Sequence, residues 1–383
     1  MKMPAWLEGS LAALPDVATR VVQRPGPIGL EIGGSNLYLC QLGNAQEGRY
    51  PVLARSITPY EGGREQLLDA PQYLKTCLRQ ATRGKRFRGN RIVTALPPDR
   101  VRFMPLMLKS EDANLDETVL KMVSDRVDGG IDEYVVDYLP VRTASGTDER
   151  LALAAVAQRE HVVSYLDALS NAGYVVDALD IGPAAIRRAL SSLYAGEGEG
   201  DVTLVVNTGA TDTYLSVIAG RRLLLDQPVV FGENQLLEKL SESLDLSTEA
   251  VTKLVDRHGL PQKGESLSDL AGNEGLEVSE TLLEVLKPRI LDLIEEINRV
   301  LIYTASETRG RPINRILLLG SLARWSGFGE LLCNLVGVPD CADYRDLDAG
   351  FDDRSTRKGN DTPLFPEMTV AVGLALRGML EDV

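Results

Sequence analysis

At 383 residues the chain has room for two domains or more, each large enough for its own core. Its 44% hydrophobic and 25% charged residues are those of a globular protein. The formal net charge of −14 argues against nonspecific binding to nucleic acid or anionic lipid. Two histidines, His161 and His258, leave almost no material for a metal cluster or a Ser-His-Asp triad, and both are expected on helix surfaces. The four cysteines, at 40, 77, 333 and 341, lack CxxC spacing. Cys40 falls in an apolar strand and Cys333 in an apolar helix, so both read as core thiols of a reducing compartment.

Residues 1–24 have no signal-peptide core, because Glu8 and Asp16 interrupt their apolar part. The spacing of Trp6, Leu7, Leu11 and Leu14 leaves a loosely attached tail and a short amphipathic docking segment both open. No later run reaches the ~20 apolar residues of a membrane span. A strand pair is predicted from Ile28, with a third strand at 51–60. A helix over 65–83 follows, and then the basic stretch Arg83–Arg88 as a solvated loop. Residues 91–95 and 100–108 read as strands, the second at a sheet edge or bulge because of Pro105. A helix over 113–128 precedes strands at 133–141 and 150–158. A helix over 159–172 then leads to a strand at 174–180 and a helix from Ala184. The small, acidic, glycine-rich residues 195–201 are a hinge or linker.

The second half opens with another strand pair, then a strand over 222–230. Residues 233–309 are helical in pattern apart from a polar stretch at 259–276. The longest helix, 278–309, contains Pro288, which predicts a kink or break. Residues 314–320 are a buried strand entering a glycine turn. A helix over 328–336 precedes an acidic loop through 361. The closing helix, 366–381, carries Ala371, Gly373 and Ala375, small residues that permit close packing.

Residues 28–42 (IGLEIGGSNLYLCQL) and 204–218 (LVVNTGATDTYLSVI) repeat one pattern. Placing Glu31 on Asn207 puts Gly33 on Gly209, Tyr38 on Tyr214 and Leu39 on Leu215. Each copy is strand, tight turn, strand, and the duplication points to two related domains facing each other. Successive N–H groups in such turns form a concavity that suits phosphate. Most glycine turns bind nothing, so either copy alone is a weak signal.

A third glycine turn, Gly320-Ser321, completes a set whose order is that of the actin/Hsp70/hexokinase superfamily. Within it, the chain resembles the type IV pilus assembly protein PilM family, relatives of the division protein FtsA. The resemblance runs from Ile28 to the C-terminus. IGLEIGGSN is similar to the family's first phosphate loop and VVNTGATDTYLSV to its second. Residues 176–189 resemble the link between domains, FGENQLLEKL with Glu249 and Lys253 the segment over purine and ribose, and RILLLGSLARWSGFGELL the adenosine loop. The implied fold is α/β: two duplicated ribonuclease-H-like domains with an inserted subdomain of the FtsA/PilM type. Its implied parts are an extension (1–24), a first domain (25–90 and 174–196), an insert (91–173) and a second domain (197–383). That second domain would hold a helical part at about 233–312, with helix 366–381 packing back towards the first.

The resemblance further implies ATP or ADP, with magnesium, between the loops. The implied contacts are Gly33, Gly34, Ser35, Asn36, Asn207, Gly209, Ala210, Thr211, Gly232, Glu233, Glu249, Lys253, Gly320 and Ser321. Glu31 stands at the metal position. It implies a cytoplasmic scaffold held at the inner membrane by partners, with a groove for the cytoplasmic N-terminus of a PilN-like single-span protein. Arg91, Arg100 and Arg102 are expected to line that groove. Pilus motor ATPases and self-association stay open as further contacts, and nucleic acid is not expected.

Two departures bear on catalysis. The family's first loop begins with Asp, and Glu31 carries one more methylene, a displacement of roughly 1 Å that can cost about 100-fold where geometry matters. The second loop normally carries Asp, and Asn207 is neutral, which weakens cation binding and water activation. Gly320-Ser321 replaces the paired glycines of the adenosine loop. Weakened nucleotide binding with very slow or absent hydrolysis is therefore expected. The alternatives are an active sugar or acid kinase, for which no base carboxylate stands out, and an FtsA-like tethered filament. That relative ends in a basic amphipathic helix, whereas this sequence ends Glu381-Asp382-Val383.

Overall fold

The computed structural model describes residues 25–46, 48–109, 114–141, 149–191, 202–219, 222–261, 274–307, 310, 312–342, 344–348, 350–353, 355 and 364–379. The expected tail (1–24), the linker at 195–201 and most of the polar stretch at 259–276 fall outside them. The first half holds β1 (Pro25–Ile32), β2 (Asn36–Gly43), β3 (Tyr50–Pro59), α1 (Arg64–Asp69), α2 (Pro71–Thr82), β4 (Arg91–Leu96), β5 (Arg102–Lys109), α3 (Leu115–Ser124), β6 (Tyr134–Val141), β7 (Glu149–Gln158), α4 (Arg159–Asn171), β8 (Val175–Ile181) and α5 (Gly182–Ser191). The second half holds β9 (Val202–Thr208), β10 (Thr213–Ala219), β11 (Arg222–Val229), α6 (Glu233–Leu244), α7 (Thr248–His258), α8 (Glu274–Glu307), β12 (Arg315–Gly320), α9 (Phe328–Val336), β13 (Asp340–Ala342), α10 (Arg345–Asp348), β14 (Phe351–Asp353) and α11 (Thr369–Arg377).

Two of the three sheets share one topology. The first runs β14-β3-β2-β1-β4-β8 and the second β11-β10-β9-β12-β13. In each, an antiparallel meander of three strands is followed by parallel strands on the far side of the first. The registers match as well: Glu31 faces Tyr38 across β1–β2, and Asn207 faces Tyr214 across β9–β10. The turns also close alike, by Gly33 N–H to the Asn36 carbonyl at 3.0 Å and Gly209 N–H to the Asp212 carbonyl at 2.7 Å. The sequence repeat is therefore a structural repeat.

Between the sheets lie α5 and α11. Their apolar faces form one core with Tyr38 and Cys40 of the first sheet and Val205, Tyr214 and Leu317 of the second. The small residues of α11 set how close it packs. A Cβ on Gly373 would stand 1.9 Å from the Ala185 carbonyl oxygen of α5, so only hydrogen fits there. Buried Asp180 of β8 pairs with Arg188 of α5 at 3.0 Å and Arg377 of α11 at 3.1 Å, tying both helices to the first sheet. The outer face of the first sheet is covered by α2 and α4, and that of the second by α6 to α9.

The third sheet, β5-β7-β6, carries α3 on one face. It is the insert, and it is smaller than the expected 91–173. The strand β4 lies in the six-stranded sheet between β1 and β8, where its unbroken buried run Ile92–Leu96 suits a parallel central strand. At the other end, Val162, Tyr165, Ala168 and Leu169 of α4 join the core of the first domain. Pro105 does lie on an edge strand, since β5 pairs only with β7. Two further expectations are corrected. The acidic loop after Gly337 contains β13, α10 and β14, its two short strands extending the sheets at their margins. Of the kink or break expected at Pro288, the break does not occur, and α8 runs from Glu274 to Glu307. Cys40, Cys77 and Cys333 are buried, Cys341 is exposed, and all four are free thiols.

Candidate functional site

The two equivalent turns face each other across a cleft. Glu31, Gly33 and Gly34 come from the first loop and Asn207, Gly209 and Ala210 from the second, with Pro97, Pro98 and Gly182 closing the floor. The loops touch, for a Cβ on Gly34 would lie 2.3 Å from Thr211 Oγ1. The N–H groups of Gly34, Ser35, Ala210 and Thr211 have no backbone acceptor. Tyr60 donates its hydroxyl to the Gly33 carbonyl and fixes the first loop from beneath.

The side chain that dominates the cleft, Arg64, was not among the sequence candidates. It opens α1, directly after the Gly62-Gly63 turn, and Leu67 anchors that helix in the core. The Arg64 side chain is 10% exposed. Its Nη1 donates to Asp212 Oδ2 at 3.1 Å and its Nη2 pairs with Asp99. Burial works against the guanidinium charge, but Asp212 and Asp99 outweigh it. The residue thus joins α1 to the second glycine turn, through Asp212, and to the segment between β4 and β5, through Asp99. Thr211 Oγ1 donates to the same Asp212 oxygen at 2.9 Å.

Glu31 reaches the cleft, but its Oε2 is buried and has no hydrogen-bond partner. Burial raises this carboxyl to about 8; Arg64 opposes the shift and Glu367 adds to it. Opposite it, Asn207 is 8% exposed and neutral. These are poor donors for magnesium, a hard cation that wants charged oxygens. Asp212 is committed to Arg64. Among the described residues no group of three His, Cys, Asp or Glu is placed to hold a metal ion.

The candidates on the adenosine side support the second loop from behind. Gly232 packs on the Ala210 backbone, and Glu233 N–H donates to the Gly209 carbonyl at 3.1 Å. Gly320 adopts φ 82°, and a Cβ there would sit 1.8 Å from the Thr208 carbonyl oxygen. Ser321 Oγ donates to the Gly209 carbonyl at 3.1 Å, so it braces the loop. The Glu233 carboxylate accepts from Trp325 Nε1 at 2.9 Å and pairs with Arg324 at 3.2 Å; Arg324 also reaches Glu367 at 3.5 Å. Ser35 and Asn36 flank the cleft and bond each other at 3.3 Å. Glu249 and Lys253 are exposed on α7, outside its lining.

Two facing domains of one topology, with paired glycine turns on a cleft between them, define an actin-like protein. The chain matches the profile of the type IV pilus assembly protein PilM over residues 29–379, and it belongs to that family. A chain of a PilM–PilN type IV pilus biogenesis complex superposes with a TM-score of 0.73 at 23% identity, covering 93% of this chain and 99% of that one. The ethanolamine utilization protein EutJ from Carboxydothermus hydrogenoformans gives 0.49 at 15% identity, covering 93% of this chain and 90% of that one.

Proposed function

We propose that this chain is a cytoplasmic scaffold of an inner-membrane platform serving a type IV pilus or a related secretion system. Its first domain and insert receive the cytoplasmic N-terminal segment of a PilN-like single-span protein. The observation that carries this reading is membership of the pilus family together with an insert that keeps an open sheet edge. On this reading attachment to the platform is through partners; no described helix is long and apolar enough to cross a membrane.

The strand β5 offers the docking edge. Among the described residues no strand pairs with its outer edge, although the Pro105 carbonyl accepts from Arg126 Nη1 at 3.1 Å; Arg102, Pro105 and Met107 are exposed along it, Met107 to 45%. The expected row of free arginines is reduced to one. Arg91 pairs with Asp177 at 2.9 Å, and Arg100 pairs with Asp99 and Glu65. An extended segment can add main-chain hydrogen bonds to such an edge, with side chains giving specificity. Burying a few apolar side chains at ~25 cal/mol per Å² supports micromolar affinity after ordering costs. Nucleotide binding in the cleft is weak, and hydrolysis is absent or very slow because Glu31 and Asn207 cannot hold a metal or activate water.

The test is titration of a labelled peptide from the cytoplasmic N-terminus of a PilN-like protein against wild type and Arg102→Glu. Roughly tenfold weaker binding by the variant is expected, about 1.4 kcal/mol. Equal affinities would move the site away from β5, and no binding by either protein would remove the scaffold reading.

A further inference from the structure

The loop between α2 and β4 gathers positive charge in an acidic chain. Residues 79–91 hold six Arg and Lys and no Asp or Glu, although the whole chain has 41 basic and 55 acidic residues. The loop is solvated, as its sequence suggests, but it is also clamped. Arg88 N–H donates to Gln41 Oε1 at 2.8 Å, and Gln41 Nε2 donates to the carbonyls of Arg88 and Gly26 at 2.8 and 2.9 Å. Gln41 is 1% exposed, so a buried amide is devoted to holding this loop against the start of β1. Phe87 packs on the core of the first domain, and Lys85 Nζ donates to buried Ser56 at 2.9 Å. With Phe87 turned inward, Arg83, Arg86 and Arg88 are left exposed. Among the described residues none of these three forms a side-chain ion pair, whereas Arg91 is answered by Asp177. Like charges held together repel one another, and the fold fixes them in place without supplying an anion.

We propose that this loop is a contact for an anionic phospholipid surface, with Arg83, Arg86 and Arg88 on the headgroup phosphates. This rests on the reading of the chain as a platform component, which places it beside a membrane. Two observations favour a lipid surface over an acidic peptide. The loop projects: a Cβ on Gly84 or Gly89 would meet nothing within 4 Å. Its one aromatic side chain is turned into the core, so the loop offers charge without the apolar anchor on which peptide docking depends. A headgroup layer needs no such anchor, because each cation near an anionic surface adds its own share of attraction. Arginine suits the role, since its planar donors match phosphate oxygens. The net charge of −14 sets the orientation of this contact. At physiological salt, charges more than about 8 Å from the surface are largely screened, so the loop touches while the acidic remainder stands off. The contact also leaves the cleft free, for Gln41 ties the loop to the start of β1 and the first glycine turn follows the other end of that strand, roughly 20 Å away.

The experiment is co-sedimentation of the full chain with vesicles of phosphatidylcholine alone and of equal parts phosphatidylcholine and phosphatidylglycerol, in about 50 mM and about 500 mM salt. Wild type is expected to bind the anionic vesicles at low salt, to release them at high salt and to ignore the neutral ones. The variant carrying Arg83→Gln, Arg86→Gln and Arg88→Gln should bind at least tenfold more weakly, with a thermal midpoint near that of wild type because all three side chains are exposed. A second variant, Lys287→Gln, Arg289→Gln and Arg299→Gln, removes the same charge from exposed positions of α8 and should bind as wild type does. Failure of wild type to bind anionic vesicles at low salt, undiminished binding by the loop variant, or equal losses in the two variants would each overturn the proposal. Poly-L-glutamate is the acidic-polypeptide probe: capture of it by wild type but not by the loop variant, with neither vesicle bound, would make the loop a protein contact and overturn the lipid assignment. The vesicles carry no protein, so their failure leaves the peptide titration of the platform reading untouched.

Discussion

Replacing Asp226 by asparagine should make the protein more stable at neutral pH and less stable in acid. Asp226 lies on β11, 3% exposed, beside Ser216 of the neighbouring strand. Ser216 donates its hydroxyl to Oδ1, whereas Oδ2 is buried and unpartnered. Burial raises this carboxyl from 3.8 to about 8, and the bond from Ser216 only partly opposes the shift. A group whose pKa is raised by folding gives its full stabilisation below the unfolded value. That contribution is lost as pH rises from there through the folded value. At pH 7 the folded protein must hold a proton that the unfolded chain has released. At about 1.4 kcal/mol per unit, this costs roughly 4 kcal/mol. The amide carries no such cost, but its NH₂ sits where Oδ2 was and lacks an acceptor, a penalty of about 1–3 kcal/mol. The net expectation for Asp226→Asn is a gain of roughly 1–3 kcal/mol at pH 7 that falls as the pH drops and becomes a loss of about 1–3 kcal/mol below pH 4, where only the amide's missing acceptor remains. Urea unfolding of both proteins across this range reads the difference directly, and other titrating groups cancel in the comparison. Parallel pH profiles for the two proteins would show that Asp226 is ionised without penalty and would refute the reasoning.

Two further outcomes are expected. Gly373→Ala should destabilise by about 2–4 kcal/mol although alanine is the better helix former, because its methyl would meet the Ala185 carbonyl at 1.9 Å; a thermal midpoint at or above that of wild type would show that α5 and α11 can part cheaply. Restoring both acids, Glu31→Asp with Asn207→Asp, should raise the magnesium-dependent affinity for ADP, with non-additive single effects because both positions would share one ion; affinity no more dependent on magnesium in the double variant than in wild type would mean that more than these two residues weakens the metal site.

The parts of this molecule that were legible in the sequence are those where a local pattern and the tertiary structure agree. The repeat of Glu31, Gly33 and Tyr38 at Asn207, Gly209 and Tyr214 survives because each hairpin builds its own register, and a hairpin is a local object. The small residues of α11 were readable for a similar reason: a helix stripped of side-chain bulk has few uses besides close approach. Position 212 could have been found by extending the same repeat, since it falls on Asn36, the residue that closes the first turn. What failed were facts settled between distant segments. The run Ile92–Leu96 was assigned to the insert by resemblance, yet its character, apolar except for Thr94, already suited a strand covered on both faces. The short strands β13 and β14 have no periodicity of their own, three residues each in an acidic stretch, and exist because β12 and β3 present open edges to them. Arg64 is the extreme case. Nothing around it in the sequence separates it from any arginine after a glycine turn, for its partners lie 35 and 148 residues away. Against the family's pattern the cleft shows in sequence only a loss, Glu for Asp and Asn for Asp. The Arg64–Asp212 ion pair beside them joins other elements, and only the fold brings it there.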